Sequence, residues 1–550
     1  FPLSFGMGKV KVCTVHDVGE GGSKSFPVND DFGKVLIVHQ HGDWKALSPK
    51  CTHFGAPLSA GVVSAGRVVC PWHGMSFDVE TGAVCDAVGA DGLQCYSTEV
   101  VGEDVFVHIP DQSSDTSFVK GKKGEEDTVV IIGGGIAGRS AAETLRLYGF
   151  GGKIIVLCKE TTLPYNRVAS SKDFSTSHDK WLLRDQQYYS ERKISFMLGV
   201  SATKVERGDP GKFVIETATG ATLVATKVIL AYGAGAKVPQ WPGASAANVV
   251  TIRDMSDNAK IRHMLEEGGN KKKIVIVGGG FIGLECAAGL AKNDNVEKVT
   301  VVTRDAIPMS KVFGEMIGSI IRLLHDKAGV EFVTNNKKTS IVTDKEGNAV
   351  GLDTDKGKID ADVIVLSIGA TLKTGSEPTF SRECTPSIND DGGINVDSQM
   401  RTSIANMYAV GDIACSPQPY LKEVGGEVES KRVEHYGFAA TMGKVASASI
   451  MKRADANMDT VPFFWTVQYG RSIRFIGTVY PGHAVPAKVF GEVDKMKAIA
   501  YFVHPKSKKI CGVATIAKDP QAAAAAELLR RGRMPRIEEI REETDLRKYL

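Results

Sequence analysis

Thr128-Val129-Val130-Ile131-Ile132-Gly133-Gly134-Gly135-Ile136-Ala137-Gly138 decides the fold of most of this chain. A run of β-branched residues enters a glycine-rich turn and a helical pattern leaves it, the order that a dinucleotide-binding βαβ unit needs. A second copy, Ile274-Val275-Ile276-Val277-Gly278-Gly279-Gly280-Phe281-Ile282-Gly283, starts about 145 residues further on. One G-x-G-x-x-G is weak evidence. Two in one chain, each with its strand and helix, point to two dinucleotide sites. The glycines have separate tasks: Gly133 and Gly278 make the tight turn, Gly135 and Gly280 let backbone approach a pyrophosphate, and Gly138 and Gly283 let helix pack on strand. The phosphates then rest at a helix N-terminus, beside Ile136 and Ala137 in the first unit and Ile282 in the second.

Upstream lie Cys51-Thr52-His53 and Cys70-Pro71-Trp72-His73, with sixteen residues between them. Alternating thiols and imidazoles fit a [2Fe–2S] centre of the Rieske type, Cys51 and Cys70 on one iron, His53 and His73 on the other. A zinc finger would instead group its Cys pair and its His pair. Gly55 and Gly74 each follow a ligand pair where the backbone must turn tightly. Residues from about Lys9 to Pro110 resemble a whole ferredoxin-type Rieske domain, including Lys34-Val35-Leu36-Ile37-Val38 and Met75-Ser76-Phe77-Asp78. Phe54, Ala56 and Trp72 stand where the respiratory type would carry its extra disulfide, which implies a less oxidising cluster.

At 550 residues the chain exceeds one core, and three or four domains are expected. With 24% charged and 43% hydrophobic residues it is globular in composition, and a net charge of +3 suggests neither nucleic acid nor an anionic membrane as partner. No apolar run is long enough for a transmembrane helix. Ten Cys without a C-x-x-C indicate an intracellular, reducing compartment, cytoplasmic or mitochondrial. Cys13, Cys85, Cys95, Cys158, Cys286, Cys384, Cys415 and Cys511 read as small buried hydrophobes. The chain opens on Phe1, so a trimmed or processed start is expected, with Met7 a candidate native start. Phe1-Pro2-Leu3-Ser4-Phe5 lacks the length and Arg content of a transit peptide.

The expected fold is multidomain. Residues 1–112 form an all-β Rieske domain, 113–127 a polar linker, 128–250 and 367–455 the two parts of a Rossmann-like FAD domain, 251–366 a Rossmann-like NAD(P)H domain, and 456–550 a C-terminal α+β dimerisation domain. Ala522 to Arg531 is helix-prone, and the charged tail after Met534 reads as a solvated helix.

Leu163-Pro164-Tyr165-Asn166-Arg167 with Lys172, Leu230-Ala231-Tyr232-Gly233-Ala234, Met407-Tyr408-Ala409-Val410-Gly411-Asp412, Arg432-Val433-Glu434-His435-Tyr436 and Phe463-Phe464-Trp465 complete the pattern. Over nearly its whole length the chain resembles the two-dinucleotide flavoprotein reductases, and within them the apoptosis-inducing-factor-like branch that adds a Rieske domain. The resemblance implies FAD in the first Rossmann unit and NADH or NADPH in the second. It implies that Arg167, Lys172, Asp412, His435 and Trp465 surround the flavin, and that Ala231, Gly233 and Gly369 meet the cofactors through backbone. Tyr232 replaces the usual Thr. Phe281 takes the place of an aromatic gate, and Glu285 pairs with Lys172 beside the reacting flavin nitrogen. An acid about 20 residues after the last glycine should grip the adenosine ribose; Lys159 holds the aligned position and Glu160 follows it, so Glu160 is assigned. In the second unit Thr303-Arg304 stands where an NAD-selective site places its acid. Arg304 could then pair with a 2′-phosphate, or Asp305 could restore NADH preference.

Electron counting fixes the expected order. A nicotinamide gives two electrons together, a cluster takes one, and a flavin handles both, so FAD lies between them. The expected activity is an NAD(P)H oxidoreductase that feeds its own cluster and then an unidentified acceptor, protein or small molecule, such as an oxygenase. The linker would let the Rieske domain swing, and a homodimer is possible. The alternative is a redox-sensing signalling protein in which conformation or dimer state matters more than turnover. A disulfide reductase lacks its Cys pair, and an oxygenase lacks a second His/His/carboxylate site.

Overall fold

The computed structural model describes residues 8–30, 32–86, 91–109, 127–208, 211–426, 428–480, 483 and 485–550. The expected linker, Asp127 excepted, lies outside them, as does Met7.

Val/Ile-rich runs become strands buried on both faces, as central parallel strands are. Thr128–Ile132 pairs in parallel with Lys153–Cys158 on one side and Lys227–Leu230 on the other, and Ile194–Leu198 and Met407–Ala409 close the edges. Helices Ile136–Leu147 and Tyr436–Ile450 pack closely on one another, because small residues line the contact. Ser140 Oγ donates to the Ala440 carbonyl at 2.7 Å, and Ser447 Oγ to that of Ala141 at 2.8 Å. The second parallel sheet runs Val249–Thr251, Val363–Leu366, Lys272–Val277, Val296–Val302, Glu331–Val333. Its edge strand therefore starts two residues before the expected boundary at 251.

The N-terminal region is built of three antiparallel sheets, and its two Cys/His loops share one design. The Cys51 N–H donates to Ala56 and the Gly55 N–H to Cys51; the Cys70 N–H donates to Met75 and the Gly74 N–H to Cys70. Gly55 and Gly74 both hold positive φ, at 74° and 70°, where a side chain is strained.

Phe463–Gln468, Arg471–Gly477, Ile510–Ile516, Lys497–Val503 and Lys488–Glu492 form, in that order, a five-stranded antiparallel sheet covered by helix Gln521–Arg530. The tail beyond Met534 is not the expected solvated helix. It makes two short 3₁₀ turns, Ile537–Glu539 and Leu546–Tyr549, and buries Ile540 and Leu546 completely against that helix. Isolated apolar residues among charges pin it, not a helical stripe. Cys85 and Cys95 likewise are only half-buried, whereas the other six extra cysteines are buried; all ten are free thiols.

The N-terminal β region is seated on the rest of the chain. Val62 and Val69 enter the same core as Tyr501, Ile510 and Leu528. Around them Arg67 pairs with Asp86 and Asp459 at 3.5 Å each, Arg531 reaches Ser64 Oγ at 3.0 Å, and Lys444 Nζ donates to the Val84 and Cys85 carbonyls at 2.6 and 2.8 Å.

Candidate active site

A cavity of about 660 Å³ opens above the C-terminal edge of the first parallel sheet, where open α/β sheets bind ligands. Gly133, Gly135, Ile136, Ala137, Glu160, Arg167, Lys172, Ala231, Gly233, Phe281, Ile282, Glu285, Asp412, His435 and Trp465 all line it. The glycines differ as their tasks require. A Cβ on Gly133, at φ 121°, would overlap the Ala231 carbonyl oxygen, and one on Gly138 would overlap that of Gly133; one on Gly135 meets nothing within 4 Å. Gly278, Gly283 and Gly280 repeat this against Ser367 and Gly278. The middle glycines were not singled out by sequence, yet a Cβ on Gly134 would lie 2.5 Å from Cys158 Sγ and one on Gly279 2.8 Å from Thr303 Oγ1.

Charged groups on the wall are paired in advance. Lys172 Nζ stands 3.1 Å from Glu285 and 4.7 Å over the Trp465 ring. The Glu285 carboxylate also accepts from Ser171 Oγ and Thr466 Oγ1, each at 2.6 Å. Glu160 pairs with Arg167 and accepts the Tyr165 hydroxyl at 2.7 Å. Arg253, which sequence reasoning missed, holds Asp412 at 3.0 Å. Phe281 packs on Phe464 with ring centres 3.8 Å apart. Burial, then the Lys172 charge, lowers the His435 imidazole to about 4, so it is neutral near pH 7. Thr162 Oγ1 and Ser170 Oγ, both on the cavity wall, are buried without a hydrogen-bond partner. Buried polar atoms are rarely left so. With the open face of Gly135, they fit a bound polar ligand such as a dinucleotide.

The other expected nicotinamide residues lie elsewhere. Gly278 and Gly280 head the second sheet's turn; Thr303 is buried beneath it; Arg304 is exposed and makes no hydrogen bond or ion pair among the described residues. Asp305 is taken up by Lys311 at 2.5 Å. Gly369, at φ 110°, accepts the Lys237 N–H through its carbonyl at 2.9 Å.

At the N-terminal end Cys51 and Cys70 face one another, and the Nδ1 atoms of His53 and His73 are 3.0 Å apart. Among the described residues no three His, Cys, Asp or Glu side chains converge as ligands of a single ion. Two separate pairs suit a binuclear centre, whereas zinc needs four donors around one point. Burial lowers both imidazoles, His53 to about 4 and His73 further with help from His53, so both are neutral, as ligands must be. The Cys51 S–H, with the N–H groups of Trp72 and His73, draws the Cys70 thiol down against its burial, and Cys51 is pushed up in turn. The His73 ring then packs at a tilt on Trp465, ring centres 3.8 Å and planes 33° apart. One tryptophan touches both the cavity and His73.

Two Rossmann sheets around one cavity, with a thiol/imidazole pair of pairs against its rim, define a flavin-dependent pyridine-nucleotide oxidoreductase with an iron–sulfur domain. The chain belongs to the pyridine nucleotide-disulphide oxidoreductase family, matched over residues 127–443, and carries a Rieske [2Fe-2S] domain at residues 8–97. It is 30% identical to Apoptosis-inducing factor 3 of Homo sapiens over 540 residues, 96% of this chain and 85% of that one. It is 29% identical to the ferredoxin--NAD(+) reductase component of the anthranilate 1,2-dioxygenase system of Burkholderia cepacia, over 76% of this chain and 98% of that one. Among solved structures, the covalent putidaredoxin reductase–putidaredoxin complex shares the fold, with TM-score 0.67 and 20% identity over 76% of this chain and 95% of that one. The protein is thus an NAD(P)H-dependent flavoprotein oxidoreductase that uses FAD, NAD(P)H and a [2Fe–2S] cluster. Among the described residues no helix is long and apolar enough to cross a membrane.

Proposed function

We propose that this chain oxidises NADH or NADPH, passes the electrons singly to its own cluster through Trp465, and delivers them to a separate acceptor, as a ferredoxin reductase with its ferredoxin built in. The observation that carries this is the 3.8 Å contact of the His73 ring with that of Trp465, a residue that also lines the cavity. When bound, a flavin accepts two electrons as hydride and releases them one at a time, which nicotinamide and cluster together require.

The side chains take the remaining roles. Gly135 and the N-terminus of helix Ile136–Leu147 hold the FAD pyrophosphate, with Gly133 and Gly138 shaping the turn; Glu160 holds the ribose, and Arg167, Asp412, Ala231 and Gly233 the flavin end. Lys172 and Glu285 fix the charge beside the reacting face, His435 and Trp465 wall it, and Phe281 gates the nicotinamide. Gly278, Gly280, Ile282, Gly283, Thr303, Arg304 and Gly369 bind the nicotinamide nucleotide. Cys51, Cys70, His53 and His73 hold the cluster. The C-terminal α+β domain, residues 456–550, serves dimerisation, and a reducing compartment, cytoplasmic or mitochondrial, suits the free thiols.

Anaerobic titration with NADH and NADPH, followed by visible and EPR spectra, tests the reading. Flavin bleaching followed by a Rieske EPR signal is expected. Zinc without acid-labile sulfide, or a cluster that reduced flavin never reduces, would refute it.

A further inference from the structure

Arg474 belongs to the C-terminal sheet, yet its guanidinium lies against the cluster loop. It is 3% exposed, pairs with Asp519, and donates through Nε to the Trp72 carbonyl oxygen at 2.6 Å. That carbonyl belongs to the peptide unit whose N–H, on His73, points at Cys70 Sγ. A single peptide group therefore links a buried cation to a cluster thiolate. Hydrogen bonding to a peptide oxygen polarises its N–H, and linked hydrogen bonds strengthen one another at low dielectric. Reduction adds one negative charge to a cluster, and hydrogen bonds to its sulfurs and nearby charge set how readily that happens. Strand pairing places Arg474 directly opposite Trp465, so the contact that brings electrons and the contact that tunes their acceptor come from neighbouring strands. Asp519 holds the outer side of the guanidinium and opposes its charge.

We propose that Arg474 is a positioning residue that raises the reduction potential of the cluster while the Rieske domain is seated, with Asp519 as its counterweight. This rests on the assignment of Cys51, His53, Cys70 and His73 as cluster ligands. The seated arrangement itself then makes the cluster a better acceptor, because the Rieske domain alone lacks this cation.

The test is EPR-monitored redox titration of the full-length holoprotein and three variants. Arg474→Met should lower the potential by about 59 mV or more, a tenfold change in the one-electron equilibrium. Arg474→Lys should fall between the two, keeping the charge but losing the planar fork. Asp519→Asn, which leaves the cation unopposed, should shift the potential upward. A merely structural role would move no variant, or all of them in one direction, and either result overturns the proposal. Should Arg474→Met fail to assemble, the upward shift in Asp519→Asn decides alone. Acid-labile sulfide in the unaltered protein is measured first: its absence would remove the ligand assignment and the proposal with it, whereas its presence with unmoved potentials removes the proposal only.

Discussion

Gly135→Val separates cofactor binding from folding in one substitution. Gly135 caps the helix Ile136–Leu147 at φ −72° and ψ −174°, a conformation open to any residue, and its added Cβ meets nothing within 4 Å. The cost to the apoprotein is limited to a poorer N-cap, about 1 kcal/mol. The cost to FAD is larger, because the isopropyl group fills the space through which pyrophosphate reaches the helix N–H groups. Losing two charge-assisted hydrogen bonds at about 1.5–3 kcal/mol each gives about 3–6 kcal/mol, or roughly 10²- to 10⁴-fold in affinity. Gly138→Ala is the control of opposite sign. Its Cβ would overlap the Gly133 carbonyl oxygen, so it should destabilise by about 1–3 kcal/mol or more through overpacking. Flavin content after purification and denaturant unfolding of the flavin-free proteins measure the two effects. Gly135→Val with full flavin at unchanged affinity would refute the phosphate-cradle reasoning.

Four other outcomes are expected. Trp465→Leu should leave flavin reduction by NAD(P)H within a few-fold but slow cluster reduction at least tenfold in stopped-flow traces, since it removes the ring between cavity and His73; equal slowing of both steps would count against a bridge. His73→Cys should lower the cluster potential or lose the cluster, because a third thiolate adds negative charge at the second iron, as EPR and sulfide analysis will show. Arg304→Ala should weaken NADPH at least tenfold with NADH unchanged in steady-state kinetics, given that this exposed guanidinium has no other partner among the described residues; strong NADH selectivity in the parent protein would dismiss it. Burial lowers His325 from 6.5 to about 4, so the unfolded chain binds the extra proton between those values. Stability from this site is complete above about pH 6.5, falls by about 3 kcal/mol as pH drops to 4, and then levels; His325→Gln should flatten that part of the unfolding-midpoint profile.

The glycine turns and the Cys/His loops were legible because their chemistry is local: a positive φ, a strand entering a helix, or a ligand pair beside a glycine shows within ten residues. Lys172 and Glu285 were legible only through the family resemblance, since nothing near either residue announces a pair 3.1 Å apart. Arg253 and Arg474 were not legible. Each looks like an ordinary strand or loop cation until folding sets it against Asp412 or the Trp72 carbonyl. The tail was misread because three apolar residues among charges, Ile537, Ile540 and Leu546, look solvated until a neighbouring helix offers them a groove. Cys85 is half-buried for a similar reason: it lies in a short strand whose backbone is claimed from outside by Lys444.

A linker between the Rieske domain and the reductase suggests a carrier that swings, but the seated arrangement sets a cost on swinging. Undocking would return Val62 and Val69, 3% and 2% exposed, to water, at about 1.5–3 kcal/mol each. It would also break the Lys444, Arg531 and Arg474 contacts to the Rieske backbone and side chains. Loading gains nothing from such a motion, because His73 already rests on Trp465. On the proposed route these docking contacts hold the electron-receiving domain against the cavity, and the step at which a moving partner matters is shifted outward, to delivery.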